Sequence, residues 1–217
     1  MVCDNRLMKS ARTLTLIVIT AIAAAAAGLI AARMLSQKPL SLQSGTWLPQ
    51  ARALLPFQST DLNGHPFGNA DLHGHPTLIF LGYTSCPDVC PTTLAILQSV
   101  QLRAPLPGLA VVFITVDPER DTSKVLKTYL SAFSSEFIGL HVAGDGLGPL
   151  LKSLGAMASR TNSSGATHSL GAAALVDHTA ALYLLDRRGR MAAVFTPPLN
   201  AANLYADLRT VATSAAL

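Results

Sequence analysis

The chain has 217 residues, 50% apolar and 13% charged, with a formal net charge of +4. Its 16 Lys and Arg form no run, which excludes the patterned basic surface of a nucleic-acid binder, and no internal repeat is present. From the N-terminus, Arg6, Lys9 and Arg12 stand against the single acid Asp4, and 13–32 is then free of charge. At 1.5 Å per residue that stretch spans roughly 30 Å of hydrocarbon, so it is expected to be a transmembrane anchor. The basic flank predicts a cytoplasmic N-terminus (1–12) and places the rest outside, the periplasmic side of a bacterial-type inner membrane. An apolar stretch this long exceeds the h-region of a cleaved signal peptide, and no cysteine follows it as in a lipoprotein. Cys3 falls on the reducing side and is read as incidental. Residues 33–53, punctuated by Pro39, Gly45 and Pro49, read as a linker, and 54–217 as one domain large enough to bury a proper core.

Within that domain, Leu78–Leu81 and Val111–Val116 are continuous apolar runs, the pattern of strands buried on both faces. Residues 92–102 between them have near-helical apolar spacing, which predicts a strand–helix–strand crossover. A second helix is expected after Asp121-Thr122, carrying Val125, Leu126, Tyr129, Leu130 and Phe133. The segment 153–171, rich in Ser, Thr, Asn and Gly, reads as an exposed loop. Leu182–Leu185 and Met191–Phe195 flank a turn at 186–190 and predict a hairpin, and 200–212 a closing helix. Together these are the parts of a thioredoxin-like α/β domain with a mixed sheet flanked by helices.

The chemistry is concentrated at Cys86 and Cys90. Both precede proline, which biases them out of the α region, so the helix is expected to start near Pro91 with Cys90 at its cap and Cys86 in the loop before it. A cysteine at a helix N-terminus has its thiolate favoured, and thiolates are both redox nucleophiles and soft metal ligands. Sulfurs so placed can reach one metal ion or one another. Three intervening residues, rather than two, make a wider loop that mildly favours a metal. As a plain staple, a disulfide closing so short a loop would remove little unfolded-state entropy. Histidine is the usual complement to two thiolates. Of His65, His73, His75, His141, His168 and His178, the last stands out because it leads into the hairpin, although a lone histidine there is more often structural.

Three blocks in order, 82–94 (GYTSCPDVCPTTL), 116–122 (VDPERDT) and 176–179 (VDHT), closely resemble the Sco/SenC family of membrane-anchored, thioredoxin-like copper-binding proteins. The resemblance covers about Leu54 to the C-terminus. It implies that Cys86, Cys90 and His178 bind one copper ion, as Cu(I), Cu(II) or both. It also implies a redox-active Cys86/Cys90 pair able to form a disulfide, an upstream copper donor, and a role as copper chaperone for the copper-site subunit of cytochrome c oxidase. The match departs at His75-Pro76, where many relatives have a Lys-Trp type pair, and in the composition of 153–171; neither touches the ligand set. The 117–122 block reads as capping and local charge pairing, with Asp121 or Thr122 satisfying open amides. Asp177 is not read as a ligand, because neighbours in a strand face opposite ways.

The competing reading is a thiol-disulfide oxidoreductase that keeps the oxidase subunit's cysteines reduced through a mixed disulfide at Cys86 or Cys90, with no need of a histidine. A redox or copper sensor stays open beside it. A thiol peroxidase is disfavoured, since peroxiredoxins place a threonine three positions before the reactive cysteine and Thr84 lies two before Cys86.

Overall fold

A computed structural model describes residues 16–29, 40–103, 106–142, 146–161, 175–178 and 180–214. The chain divides into two compact units, Met1–Pro39 and Leu40–Leu217. In the first, 16–29 form one exposed helix, α1. The ends of the expected anchor, 13–15 and 30–32, lie outside the described residues. Among the described residues no helix is long and apolar enough to cross a membrane.

The second unit is built on an eight-stranded mixed sheet. Its centre is β4 (Thr77–Gly82) and β5 (Ala110–Thr115), paired in parallel from Thr77↔Ala110 to Gly82↔Thr115. Every residue of β4 and nearly all of β5 is buried, as the unbroken apolar runs require. α2 (Val89–Gln101) makes the crossover between them. α3 (Ser123–Ser131) connects β5 to β6 (Ile138–His141), which continues the parallel set. On the other flank β9 (Leu182–Leu185) pairs antiparallel with β4, and β10 (Arg190–Phe195) folds back on β9 as the expected hairpin. Asp186 fixes that turn, accepting from the Arg188 and Arg190 amides at 2.9 Å each. α5 (Ala201–Thr213) closes the chain over α2, with the Arg103 guanidinium 5.7 Å from the Tyr205 ring centre.

Residues 45–53, expected within the linker, instead form β1 (Gly45–Ala53), antiparallel to β10 at the sheet edge. The compact unit therefore begins at 40 rather than 54. The register breaks between Trp47 and Arg52, around Pro49, and an edge strand tolerates such a break because proline's missing donor faces no partner. Two short strands not foreseen, β2 (Gln58–Asp61) and β3 (Pro66–Gly68), extend the other edge. The segment 153–171 is only partly a loop. α4 (Leu147–Leu154) ends there at Gly155, whose φ of +66° is the left-handed cap that glycine adopts without strain. β7 (Ala158–Thr161) follows and pairs antiparallel with β8 (Leu175–His178). Residues 162–171 lie outside the described residues.

Candidate metal centre

β4 ends at Gly82, and the loop 83–88 carries the chain into α2. Gly82 is required by close approach, since a Cβ there would sit 2.7 Å from the Phe113 ring and 3.1 Å from the Cys90 sulfur. The loop turns on the Cys86 amide, which donates to the Tyr83 carbonyl at 3.2 Å. α2 starts at Val89, with Asp88 as its cap, rather than at Pro91. Pro91 thus occupies the third helical position, where an amide would have had no intrahelical acceptor, and the pre-proline bias on Cys90 is overridden. The Asp88 side chain makes no capping hydrogen bond. The Cys86 sulfur takes the first-turn amide of Cys90 instead, at 3.4 Å.

The two sulfurs are neighbours with unequal surroundings. Both are thiols, Cys86 half-buried and Cys90 fully buried. Burial pushes the Cys90 thiol well above the ordinary cysteine range, a hydrogen bond to Cys86 adds to this, and the Tyr83 backbone amide opposes it. Ser85, Pro87, Asp88 and Val89 around Cys86 are exposed, so the loop presents Cys86 outward and keeps Cys90 beneath it. Two soft donors in mutual hydrogen-bond reach suit a thiophilic ion or a disulfide.

Asp121 holds this loop. Only 1% exposed, its carboxylate accepts from the Thr84 amide at 3.0 Å, the Thr84 hydroxyl at 2.5 Å and the Thr115 hydroxyl at 2.6 Å. It therefore ties the cysteine loop to the end of β5 rather than capping α3, which is capped by Thr122 on the Val125 amide. The charge pairing expected of the block is present in the Arg120–Asp117 ion pair. His141 donates from Nε2 to the Pro118 carbonyl at 2.8 Å and steadies the same turn.

The backbone of His178 lies in β8, opposite Ala158. Its imidazole falls outside what the structure describes, and among the described residues no group of three His, Cys, Asp or Glu is gathered about one point. His65 pairs with Asp61 at 3.1 Å on the surface, and His75 bonds the His73 carbonyl at 3.1 Å, as solvated turns do. Sequence reasoning passed over Tyr129 and Phe113, whose rings stack edge-on at 6.3 Å behind Gly82 and Cys90. In the sequence both belong to ordinary apolar patterns, and no signal sets them apart from core.

Fold and site together define a thioredoxin-like α/β domain with a paired-cysteine loop at the N-terminus of its crossover helix. The SCO1/SenC family model matches residues 48–213, and the chain belongs to that family. It is 32% identical over 156 residues to an SCO2-like protein of Rickettsia prowazekii, covering 71% of this chain and 74% of the relative. Among solved structures it resembles Bradyrhizobium japonicum ScoI with copper bound, at 38% identity and a TM-score of 0.62, over 72% of this chain and 98% of that one. It also resembles yeast Sco1 with copper bound, at 29% identity and a TM-score of 0.63, over 71% and 85%.

Proposed function

We propose that this protein is a copper chaperone that carries one copper ion on Cys86, Cys90 and His178 and delivers it to the copper site of a cytochrome c oxidase subunit. The observation that carries this reading is the pair of neighbouring sulfurs at the start of α2, one half-buried and one fully buried. Thiolates select Cu(I), and an imidazole in the same set makes Cu(II) acceptable, so one site serves both states. Copper bound to the two relatives' structures, at 38% and 29% identity, supports the same assignment. The copper is cargo: it arrives from a donor protein at the outward Cys86 side of the loop and leaves by ligand exchange through that side.

Residues 13–32 are the proposed membrane anchor, with the N-terminus cytoplasmic and the domain periplasmic. The helical 16–29 and the basic flank of Arg6, Lys9 and Arg12 support it. An alkaline phosphatase fusion at the C-terminus is expected to be active and resistant to carbonate extraction; an inactive or extractable fusion would reject the anchor or its orientation.

A second reading is favoured by the same asymmetry. A half-buried Cys86 over a fully buried Cys90 is the arrangement of an attacking and a resolving thiol, so reduction of a partner disulfide would begin at Cys86. The two readings are separated by anaerobic titration of the reduced full chain with Cu(I) against a competing chelator, beside His178→Ala. One tight equivalent, weakened at least tenfold in the variant, is expected of the chaperone, since loss of one of three ligands removes several kcal/mol of roughly 10 or more. Weak binding, or binding indifferent to His178, leaves the reductase as the account of the site.

A further inference from the structure

Among the described residues of the domain, folding leaves five large apolar side chains exposed: Leu55, Val89, Leu102, Val125 and Met157. Scattered exposed apolar residues are ordinary, but three of these five border the segments that carry the cysteines and His178. Val89, 43% exposed, precedes Cys90 and follows the exposed Pro87 and Asp88. Val125, also 43% exposed, stands in the first turn of α3, one turn after the Asp121 that grips Thr84 of the cysteine loop. Met157, 78% exposed, precedes Ala158, whose register partner is His178. α2 and α3 run side by side in one direction. At their far ends the Gln98 side chain donates to the Phe133 carbonyl and the Ser134 hydroxyl to Gln101 at 3.3 Å, while at the near ends Thr84 meets Asp121. Val89 and Val125 therefore stand at the starts of neighbouring helices, at the cysteine end of the sheet. Val125 lies off the stripe of Leu126 and Leu130 that α3 buries, and valine is a poor helix former, so neither the core nor local propensity accounts for it.

We infer that Val89, Val125 and Met157, with Pro87, form the surface on which the copper-accepting domain docks, and that this domain meets it with an apolar face. The inference rests on the copper reading above, which also brings the Met157 segment to the others by placing Cys86, Cys90 and His178 on one ion. Ligand exchange passes through a state in which both proteins hold the same Cu(I): bonds to the acceptor form as bonds to Cys86, Cys90 and His178 break, with no change of oxidation state. The ligand atoms of the two proteins are then only two bond lengths apart. Cys86 is half-buried in its loop, so an acceptor ligand that reaches the ion brings its own surroundings down onto the side chains flanking that loop. Removing those apolar side chains from water favours the encounter. Charge offers no comparable selection, because the exposed charges around the loop are mixed, Asp88 and Glu119 against Lys124.

The test loads the reduced full chain, in detergent and without oxygen, with one equivalent of Cu(I). It is mixed with the reduced, metal-free soluble copper-site domain of a cytochrome c oxidase subunit, and the transfer rate is followed against acceptor concentration. Val125→Asp and Met157→Asp are compared with Leu102→Asp, which places the same charge on an exposed apolar position at the other end of α2. An acid in the first turn of a helix is favoured by the helix dipole, so Val125→Asp is expected to fold as wild type does. Val125→Asp and Met157→Asp are expected to hold Cu(I) against a chelator as tightly as wild type. Each is expected to need about tenfold more acceptor for half-maximal transfer, since it puts an unpaired charge into an apolar contact. Leu102→Asp is expected to transfer like wild type. Wild-type half-saturation in Val125→Asp or Met157→Asp, an equal loss in Leu102→Asp, or a weakened Cu(I) affinity that makes the residue part of the metal site would each overturn the assignment. So would transfer from wild type at its rate of release to a chelator whatever the acceptor concentration, a result that removes the docking surface and leaves copper binding standing. A wild-type chain that binds no Cu(I) would overturn the reading of the site itself, and this inference with it.

Discussion

Asp121 directs a buried carboxylate at three donors across the β5 end, and nothing else in the described structure substitutes for it there. Removing it strands the Thr115 hydroxyl and the Thr84 amide, each worth about 1–3 kcal/mol when left unpaired. Asp121→Ala should therefore lose about 3 kcal/mol, read as a fall in the urea midpoint at unchanged slope. Asp121→Asn keeps an acceptor and should lose less; equal losses would show that charge rather than hydrogen bonding is what matters. The two thiols next to this anchor should also differ in reactivity. At about pH 8, iodoacetamide should label Cys86 well before Cys90, because burial holds the Cys90 thiol protonated. The sign for stability follows. Above the unfolded thiol's value of about 8.5 the unfolded chain gives up a proton that folded Cys90 retains, so stability declines as pH rises through that range. Equal labelling rates, measured by peptide mass spectrometry, would contradict the buried placement of Cys90.

Helix starts give the clearest contrast between elements. Asn200 caps α5 with its side-chain oxygen, accepting from the Ala202 and Asn203 amides at 2.9 and 3.1 Å. Asp88 occupies the same position on α2 without capping it, since the Cys86 sulfur takes the Cys90 amide. Asn200→Ala should accordingly lower stability by about 1 kcal/mol and Asp88→Ala by under about 0.5 kcal/mol. Calorimetry separates them, and a large loss at Asp88 would mean that the sulfur does not do the capping. Legibility divided along the same line of length and burial. β4, β5, the β9–β10 hairpin and α5 could be read in advance because long apolar runs and turn chemistry are local signals. β2, β3 and β6 could not, being strands of only three or four residues, too short to carry an apolar pattern, with β2 and β6 paired across a long separation, as Thr60 is with His141. The cysteine pair was legible from residue type and spacing. The role of Asp121 was not, because a carboxylate before a helix reads as a cap until the fold brings Thr84 and Thr115 to it.

At the scale of the whole domain, the chain enters the sheet at β1, an edge strand paired only with β10. That entry is fastened from the far end of the sequence. Asp207 on α5, 2% exposed, accepts from the Gln43 amide at 2.6 Å, the Ser44 amide at 2.8 Å and the Ser44 hydroxyl at 2.6 Å. The residues just after the first unit are thereby bound to the last helix, which itself packs on the crossover helix that carries the cysteines. Hydrogen bonds to a charged group contribute about 1.5–3 kcal/mol each, but Gln43 and Ser44 lie near the surface and regain water when the carboxylate is lost. Asp207→Ala should therefore lose about 2 kcal/mol, a drop of about 4–8 °C in Tm for a domain of this size. If the clamp acts locally, amides of β1 should exchange with solvent faster in the variant while those of β4 and β5 keep their protection. Uniform acceleration across all three strands would instead mean that β1 and the sheet centre open as one cooperative unit, so that the cysteine loop feels any disturbance at the domain's entry.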